Sequence, residues 1–276
     1  FNGVDAAIHA IFHAYGDRGE TLLTTNPTFG YYTPCAEMQG MKINAIPYEG
    51  TDFEFPLIKI KNILKKEIPK LLIICNPNNP TGTRLDAKEI LKLSKISPQT
   101  LVVIDELYEA FTGDSVLPIT NFKMNPNIIV LRSLSKTAGL AGLRIGFAIG
   151  NPQIIEKTKR VTGPYDINSF AVKASFAAIK DQNYIDSYVA QVLQAKDWLK
   201  SKLINHKVKY HMKGGNYLLI WPNNSPLKVE LYLKERGILV RNMDNKSLID
   251  GSLRVSIGTI DQMKHFWTIF KECECI

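Results

Sequence analysis

The chain has 276 residues, 45% hydrophobic and 22% charged, with a formal net charge of +8. These are the proportions of an ordinary globular protein with one large domain or two smaller ones, and no apolar run approaches the roughly 18 residues that span a bilayer. The 34 Lys and Arg form no basic run and sit in no nucleic-acid motif, so the charge reads as a solvated surface rather than a nucleic-acid face.

Phe1 leads straight into Asn2-Gly3-Val4-Asp5, with no basic region and no cleavage site of a secretory signal. There is no initiator methionine, and the expectation is a chain cut at its front. Ala6, Ala7, Ile8, Ile11 and Phe12 then recur at helical spacing. The start of that helix either presents free backbone amides to a phosphate or is an ordinary cap. Residues 21–25 read as a strand ending in the aromatic turn Asn26-Pro27-Thr28-Phe29-Gly30-Tyr31-Tyr32, and residues 41–48 as a second strand. Leu71-Leu72-Ile73-Ile74-Cys75 shows no polar alternation, which predicts a strand buried on both faces, as in a parallel sheet. Asn76-Pro77-Asn78-Asn79-Pro80-Thr81-Gly82 follows and suits neither helix nor strand. Asp86-Ala87-Lys88-Glu89 reads as a capping box opening a helix that ends near Ile96.

Residues 101–104 are a further buried strand, which delivers Asp105, Glu106 and Tyr108. Residues 127–131 are another, delivering Ser133, Ser135 and Lys136, and the run 145–149 reads as a core strand beyond them. Asn151-Pro152 caps a helix, and residues 169–179 suggest one more. Ile185, Tyr188, Val189, Val192, Lys196, Leu199 and Leu203 predict a long helix, where the chain is expected to change domain. A βαββα-like pattern follows, with strands at 208–212, 217–221, 238–240 and 253–257, a helix ending at Gly237 and a last helix from Asp261. Buried strands alternating with helices predict an α/β fold: a large domain over 1–183 with a mostly parallel sheet flanked by helices, and a smaller C-terminal α+β domain over 184–276. Of the four cysteines, Cys75 lies in a core strand, and Cys273-x-Cys275 is too little for a metal site. No metal is expected, and the compartment reads as reducing and cytoplasmic.

In such a sheet, ligands bind beyond the carboxyl ends of the strands, where every polar cluster of this chain falls. A lysine held between two strands is easily desolvated, which lowers its pKa and frees an amine for Schiff-base chemistry. A buried carboxylate calls for a cationic partner. Pyridoxal phosphate satisfies the whole set: an aldehyde for Lys136, a ring nitrogen for Asp105, a phenolic oxygen for Tyr108 and Asn79, and a phosphate for Ser133, Ser135, Arg144 and the amides of Val4 and Asp5. Phe29 is placed to cover a ring face. Each residue also has a plain structural role: Asp105 as a helix cap, Tyr108 as a core aromatic, Arg144 in an ion pair, Asn79 in the turn.

Asn79-Pro80-Thr81-Gly82, Asp105-Glu106-Leu107-Tyr108, Ser133-Leu134-Ser135-Lys136 and Gly142-Leu143-Arg144-Ile145-Gly146 occur in the order seen in fold-type I pyridoxal-phosphate enzymes. On these motifs the chain resembles the class I/II aminotransferases, and within them the histidinol-phosphate aminotransferases, over nearly its full length. The resemblance implies that Lys136 is the Schiff-base lysine and moves a proton between the substrate's α-carbon and the cofactor's C4′. It implies that Arg254 grips the substrate carboxylate, that Arg241 reaches the substrate phosphate, and that Asn216 lies on the substrate side. The implied reaction moves an amino group between a phosphorylated amino compound, such as histidinol phosphate, and a 2-oxo acid such as 2-oxoglutarate, in a homodimer of the cytoplasm. Threonine-phosphate decarboxylase, another amino-acid aminotransferase and a non-catalytic relative are the alternatives. Relatives carry an N-terminal segment absent from this sequence, and Ala6 replaces an acidic residue usual in the family's first motif.

Overall fold

The structure, a computed structural model, describes residues 1–275. It opens with helix α1 (Gly3–Tyr15), followed by β1 (Thr21–Asn26), α2 (Tyr32–Met38), β2 (Lys42–Pro47), α3 (Leu57–Lys66), β3 (Leu71–Cys75), α4 (Ala87–Ile96), β4 (Leu101–Asp105), β5 (Ile128–Ser133) and β6 (Gly146–Gly150). The six strands form one sheet in the order β2-β1-β3-β4-β5-β6. All neighbours are parallel except β6, which runs antiparallel to β5.

The composition of β3 and β4 explains their central place. Leu71, Ile73, Leu101 and Val103 pack on the side of α1 and α2. Leu72, Ile74, Val102 and Ile104 pack on the side of α3 and α4. Side chains alternate faces along a strand, so only an unbroken apolar run can serve both layers. By the same parity Asp105, the last residue of β4, belongs to the face covered by α1 and α2. It pairs with Cys75 on one side and Leu131 on the other. The strand order reverses between β1 and β3, and open α/β sheets take ligands beyond the strand ends at such a switch point.

Beyond the sheet come α5 (Pro152–Lys159), α6 (Ser169–Lys180) and the long α7 (Gln182–Asn205). A second sheet, antiparallel throughout, has the order β7-β8-β10-β9 and is built from β7 (Lys209–His211), β8 (Tyr217–Trp221), β9 (Arg241–Asn242) and β10 (Leu253–Ser256). The helices α7, α8 (Pro226–Glu235) and α9 (Ile260–Glu274) share a core with it, through Leu199, Leu203, Val229, Leu233, Phe266 and Phe270. Tyr108 and Phe111, from the loop after β4, also enter this core and tie it to the first sheet.

Several sequence expectations are corrected. The run 145–149 yields β6, but four of the strand's five residues are only half-buried, because it is the sheet's edge rather than its core. Residues 238–240 are not a strand: the pairing to β10 begins at Arg241, after the turn that follows α8. Asp86 caps α4 through the Lys88 amide, a contact worth about 1 kcal/mol. The other half of that capping box is missing, because Glu89 is drawn to Lys61 and Lys92. Asp105 does not cap a helix; its Oδ1 accepts from the Leu107 amide in a turn. The helices α2 and α3 are additional to the sequence expectation. Cys35, Cys75 and Cys273 are buried free thiols.

Candidate active site

Ten residues named from the sequence line one cavity of about 210 Å3: Val4, Asp5, Phe29, Asn79, Asp105, Tyr108, Ser133, Ser135, Lys136 and Arg144. They come from the start of α1 and from the loops after β1, β3, β4 and β5, so a single edge of the sheet gathers positions spread over 140 residues of sequence. Cys75, Leu107 and Ala141 complete the wall.

The anion-binding end is built by close backbone approach. Asn2 does not cap α1 with its side chain, so the amides of Val4 and Asp5 gain no partner from it. The helix start abuts β6 at Gly146, where a Cβ would come within 2.5 Å of Gly3 and Val4. Gly3 has φ +79°, and a Cβ there would run into the Arg144 guanidinium. Both glycines are therefore required for the helix to point its amides at the loop after β5. In that loop Ser133 Oγ lies 2.8 Å from Ser135 Oγ and accepts from the Ser135 amide. Arg144 donates to Asp5 Oδ2 at 2.7 Å, so the plain ion-pair role is real as well. Both side chains are close to half exposed, which makes that pair weak on its own. It engages one end of a guanidinium that has five donors.

At the other end lies Asp105, only 2% exposed. No cationic side chain forms an ion pair with it among the described residues. Burial pushes its carboxyl up from 3.8 to about 6, against the lowering influence of its hydrogen bonds. Tyr32, on α2, donates to its Oδ2 at 2.6 Å. The Tyr32 phenol is fully buried and pushed well above its ordinary value by that burial, so it keeps its proton and always donates. Sequence reasoning missed this residue. The available signal was its place three residues after Phe29 in the aromatic turn; reading a helix from residue 32 onward would have exposed it.

Lys136 sits in the turn after β5, with its Nζ 5.6 Å from the centre of the Tyr108 ring. Burial lowers its pKa, and the Arg254 charge lowers it further. Tyr108 is held edge-on against Tyr217, with ring centres 4.9 Å apart. Asn79 connects the two sheets: its Nδ2 lies 3.5 Å from the Tyr108 hydroxyl and its Oδ1 accepts from Arg254 Nη1 at 2.7 Å.

A second cavity of about 770 Å3 shares Phe29 and Asn79 with the first and carries Arg241 and Arg254. These two arginines are directly opposed across β9 and β10. Like charges in that position repel, and no carboxylate lines the cavity to separate them. Arg254 Nε is buried without a hydrogen-bond partner. Asn216, by contrast, lines neither cavity; it is half-buried ahead of β8, and its carbonyl accepts from the Ile257 amide.

Comparison with known proteins places this arrangement. The family described as aminotransferase class I and II matches residues 1–270, and the chain belongs to that family of pyridoxal-phosphate enzymes. The histidinol-phosphate aminotransferase of Caldanaerobacter subterraneus subsp. tengcongensis is 31% identical over 273 residues, which cover 98% of this chain and 76% of the relative. A histidinol-phosphate aminotransferase of Clostridium novyi is 32% identical over 262 residues, covering 95% of this chain and 72% of the relative. Among solved structures, the histidinol-phosphate aminotransferase of Sinorhizobium meliloti in complex with pyridoxal 5′-phosphate superimposes with a TM-score of 0.90 over 99% of this chain and 76% of its own, at 21% identity. The L-threonine-O-3-phosphate decarboxylase of Porphyromonas gingivalis does so with a TM-score of 0.81 over 99% and 82%, at 24% identity. These last two likenesses are of fold.

The residues present fit the cofactor on this chain's own terms. A buried carboxylate lacking a cation, one amine of lowered pKa, and a cup of hydroxyls, amides and a guanidinium meet around one space. A cationic ring nitrogen, an aldehyde and a phosphate are the groups those donors suit.

Proposed function

We propose that this chain transfers an amino group between a phosphorylated amino compound, best matched by histidinol phosphate, and 2-oxoglutarate. The observation that carries the reading is the opposed pair Arg241 and Arg254 in a cavity without carboxylates, next to the cavity of Lys136 and Asp105. Two facing guanidinium groups are stable together when an anion lies between or beside them. A substrate with an acidic group at each end meets that need, as does an amine carrying a phosphate.

Bound pyridoxal phosphate supplies an aldehyde carbon that takes the amino group and a ring that draws electrons from the carbon bearing it. The chain's own residues do the rest. Lys136 carries the proton between the substrate's α-carbon and C4′ of the cofactor, a task suited to an amine whose pKa burial has lowered. Asp105 keeps a proton on the ring nitrogen, and Tyr32 holds that carboxylate in place. Tyr108 and Asn79 bond the phenolic oxygen, and Phe29 covers the ring. Ser133, Ser135, Arg144 and the amides of Val4 and Asp5 hold the cofactor phosphate. Arg254 takes the carboxylate of the amino-acid partner, and Arg241 the phosphate of the other substrate. Asn216 serves the substrate side only if the loop before β8 shifts toward the cavity.

A panel of histidinol phosphate, threonine phosphate and phenylalanine, followed by amino transfer and by release of carbon dioxide, tests the substrate. Amino transfer fastest with histidinol phosphate is expected, and Arg241→Ala is expected to lower kcat/KM for it at least about tenfold more than for phenylalanine. Carbon dioxide release from threonine phosphate, or equal losses on both amines, would overturn the assignment. The reading extends to a two-domain chain divided at 183/184 and to a cytoplasmic homodimer that serves histidine biosynthesis. Support for the dimer comes from α6, where Phe170 is 83% exposed and Phe176 63%. Sedimentation of the holoenzyme at micromolar concentration is expected to give the mass of two chains; a single chain's mass refutes the dimer. No helix among the described residues is long and apolar enough to cross a membrane.

A further inference from the structure

The loop joining β9 to β10, residues 243–252, sorts its charges by direction. Lys246 lines the same cavity as Arg241 and Arg254. The two carboxylates of the loop, Asp244 and Asp250, do not. Asp250 is held away, its Oδ1 accepting from the Asn245 amide at 2.6 Å and its carbonyl from Trp221 Nε1 at 2.9 Å.

The loop is anchored. Met243 and Ser252 are buried at its two ends, and Ile249 is buried within it. The Met243 amide bonds the Ser252 carbonyl, the Lys246 amide bonds the Met243 carbonyl, and the Ile249 amide bonds the Lys246 carbonyl. The backbone thus presents the lysine from a fixed turn, while its side chain keeps its freedom.

Neither Lys246 nor Arg241 has an ion pair or a side-chain hydrogen bond among the described residues. The facing wall offers them no carboxylate, and three of its hydroxyls are already engaged. The hydroxyls of Thr24, Thr25 and Thr28 are bonded to Ile73, Tyr48 and Asn78. Exposure also separates the three cations: Arg254 is half-buried with its Nε sealed off, whereas Arg241 and Lys246 are exposed at the mouth. Three cations with no acid among them repel one another, and a carboxylate of one negative charge leaves that repulsion under-compensated. A phosphate monoester, with nearly two charges and three acceptor oxygens, matches a pair of donors at the mouth.

We propose that Lys246 is a specificity-determining residue, closing with Arg241 a two-cation clamp on the phosphate monoester of the amino substrate. The inference rests on the phosphorylated-amine reading and adds a residue and a selection rule to it: the clamp discriminates by charge, favouring the dianionic phosphate over a neutral or singly charged end.

The test uses holoenzyme, so that the cofactor occupies its own phosphate site. Lys246→Ala and Lys246→Arg are compared with wild type in kcat/KM for histidinol phosphate and for histidinol, and in the affinity for inorganic phosphate by calorimetry. Lys246→Ala is expected to reduce the preference for the phosphorylated amine by about tenfold and to weaken phosphate binding in parallel. Lys246→Arg restores both, since it returns the charge. A preference and a phosphate affinity within twofold of wild type in Lys246→Ala overturn the clamp, and the substrate reading survives if wild type still favours histidinol phosphate. If wild type shows no such preference but phosphate binding still depends on Lys246, the clamp stands as an anion subsite and the histidinol-phosphate reading falls.

Discussion

Replacing Lys136 with alanine is expected to lower turnover by about a thousandfold or more, the scale of losing a positioned proton carrier. It is also expected to abolish covalent fixation of the cofactor by borohydride. Lys136 is the only lysine lining the cavity among the described residues. Burial lowers the pKa of its amine, and the neighbouring positive charge of Arg254 acts in the same direction. No other lysine is placed to substitute for it. The cofactor itself is expected to stay bound in Lys136→Ala, because Asp105, the two serines and Arg144 hold its opposite ends. Cofactor absorbance that persists after gel filtration, with no label on the chain after borohydride reduction, is the expected pair of results. A borohydride-fixed cofactor at any other residue, or turnover within tenfold of wild type, refutes the assignment.

For Asp105→Ala the expected loss in kcat is about a hundredfold to ten-thousandfold. Breaking a buried ion pair costs about 3–5 kcal/mol, and each 1.36 kcal/mol expressed in the transition state is about a factor of ten in rate. Folding is expected to suffer far less, since in the cofactor-free chain this carboxylate is buried without a cation. That same isolation gives a second, independent readout. The folded carboxyl is pushed up from 3.8 to about 6 by burial. Between those values the folded chain keeps a proton that the unfolded chain has lost. Asp105 therefore contributes stability that is full below about pH 4 and is lost as the pH rises through about 6. Urea unfolding of the cofactor-free protein is expected to show this decline, and Asp105→Asn to flatten it relative to wild type. The difference between the two curves isolates Asp105 from Glu106 and Glu109, which burial also raises. An Asp105→Ala enzyme with kcat within tenfold of wild type, or parallel stability curves for Asp105→Asn and wild type, removes this residue from the role given to it.

The central strands were legible because their signal is local. A five-residue run such as Leu71–Cys75 with no polar member has to be covered on both faces, and the polar residues that follow it have to leave the sheet at its edge. The order of the motifs placed Asp105 and Lys136 at strand ends for the same reason. The edge character of β6 was not legible, because its Phe, Ala and Ile look like core residues until the neighbour beyond it is known to be missing from the sheet. The start of β9 was misplaced because Ile238, Leu239 and Val240 have strand composition but follow directly on the turn that ends α8.

The sequence by itself determined a mostly parallel α/β sheet, the strand ends that carry its polar residues, and ten residues, two of them named for their backbone amides, that line one cavity. Periodicity, apolar runs and turn residues are properties of a few consecutive positions, and they survive any packing. Only the tertiary structure decided that Tyr32 donates to Asp105, 73 residues away, that Arg254 reaches Asn79 across 175 residues, and that Arg241 faces Arg254. Those contacts depend on which face a helix covers and on the register of two strands. A shift of one residue in either turns the same side chains away from each other.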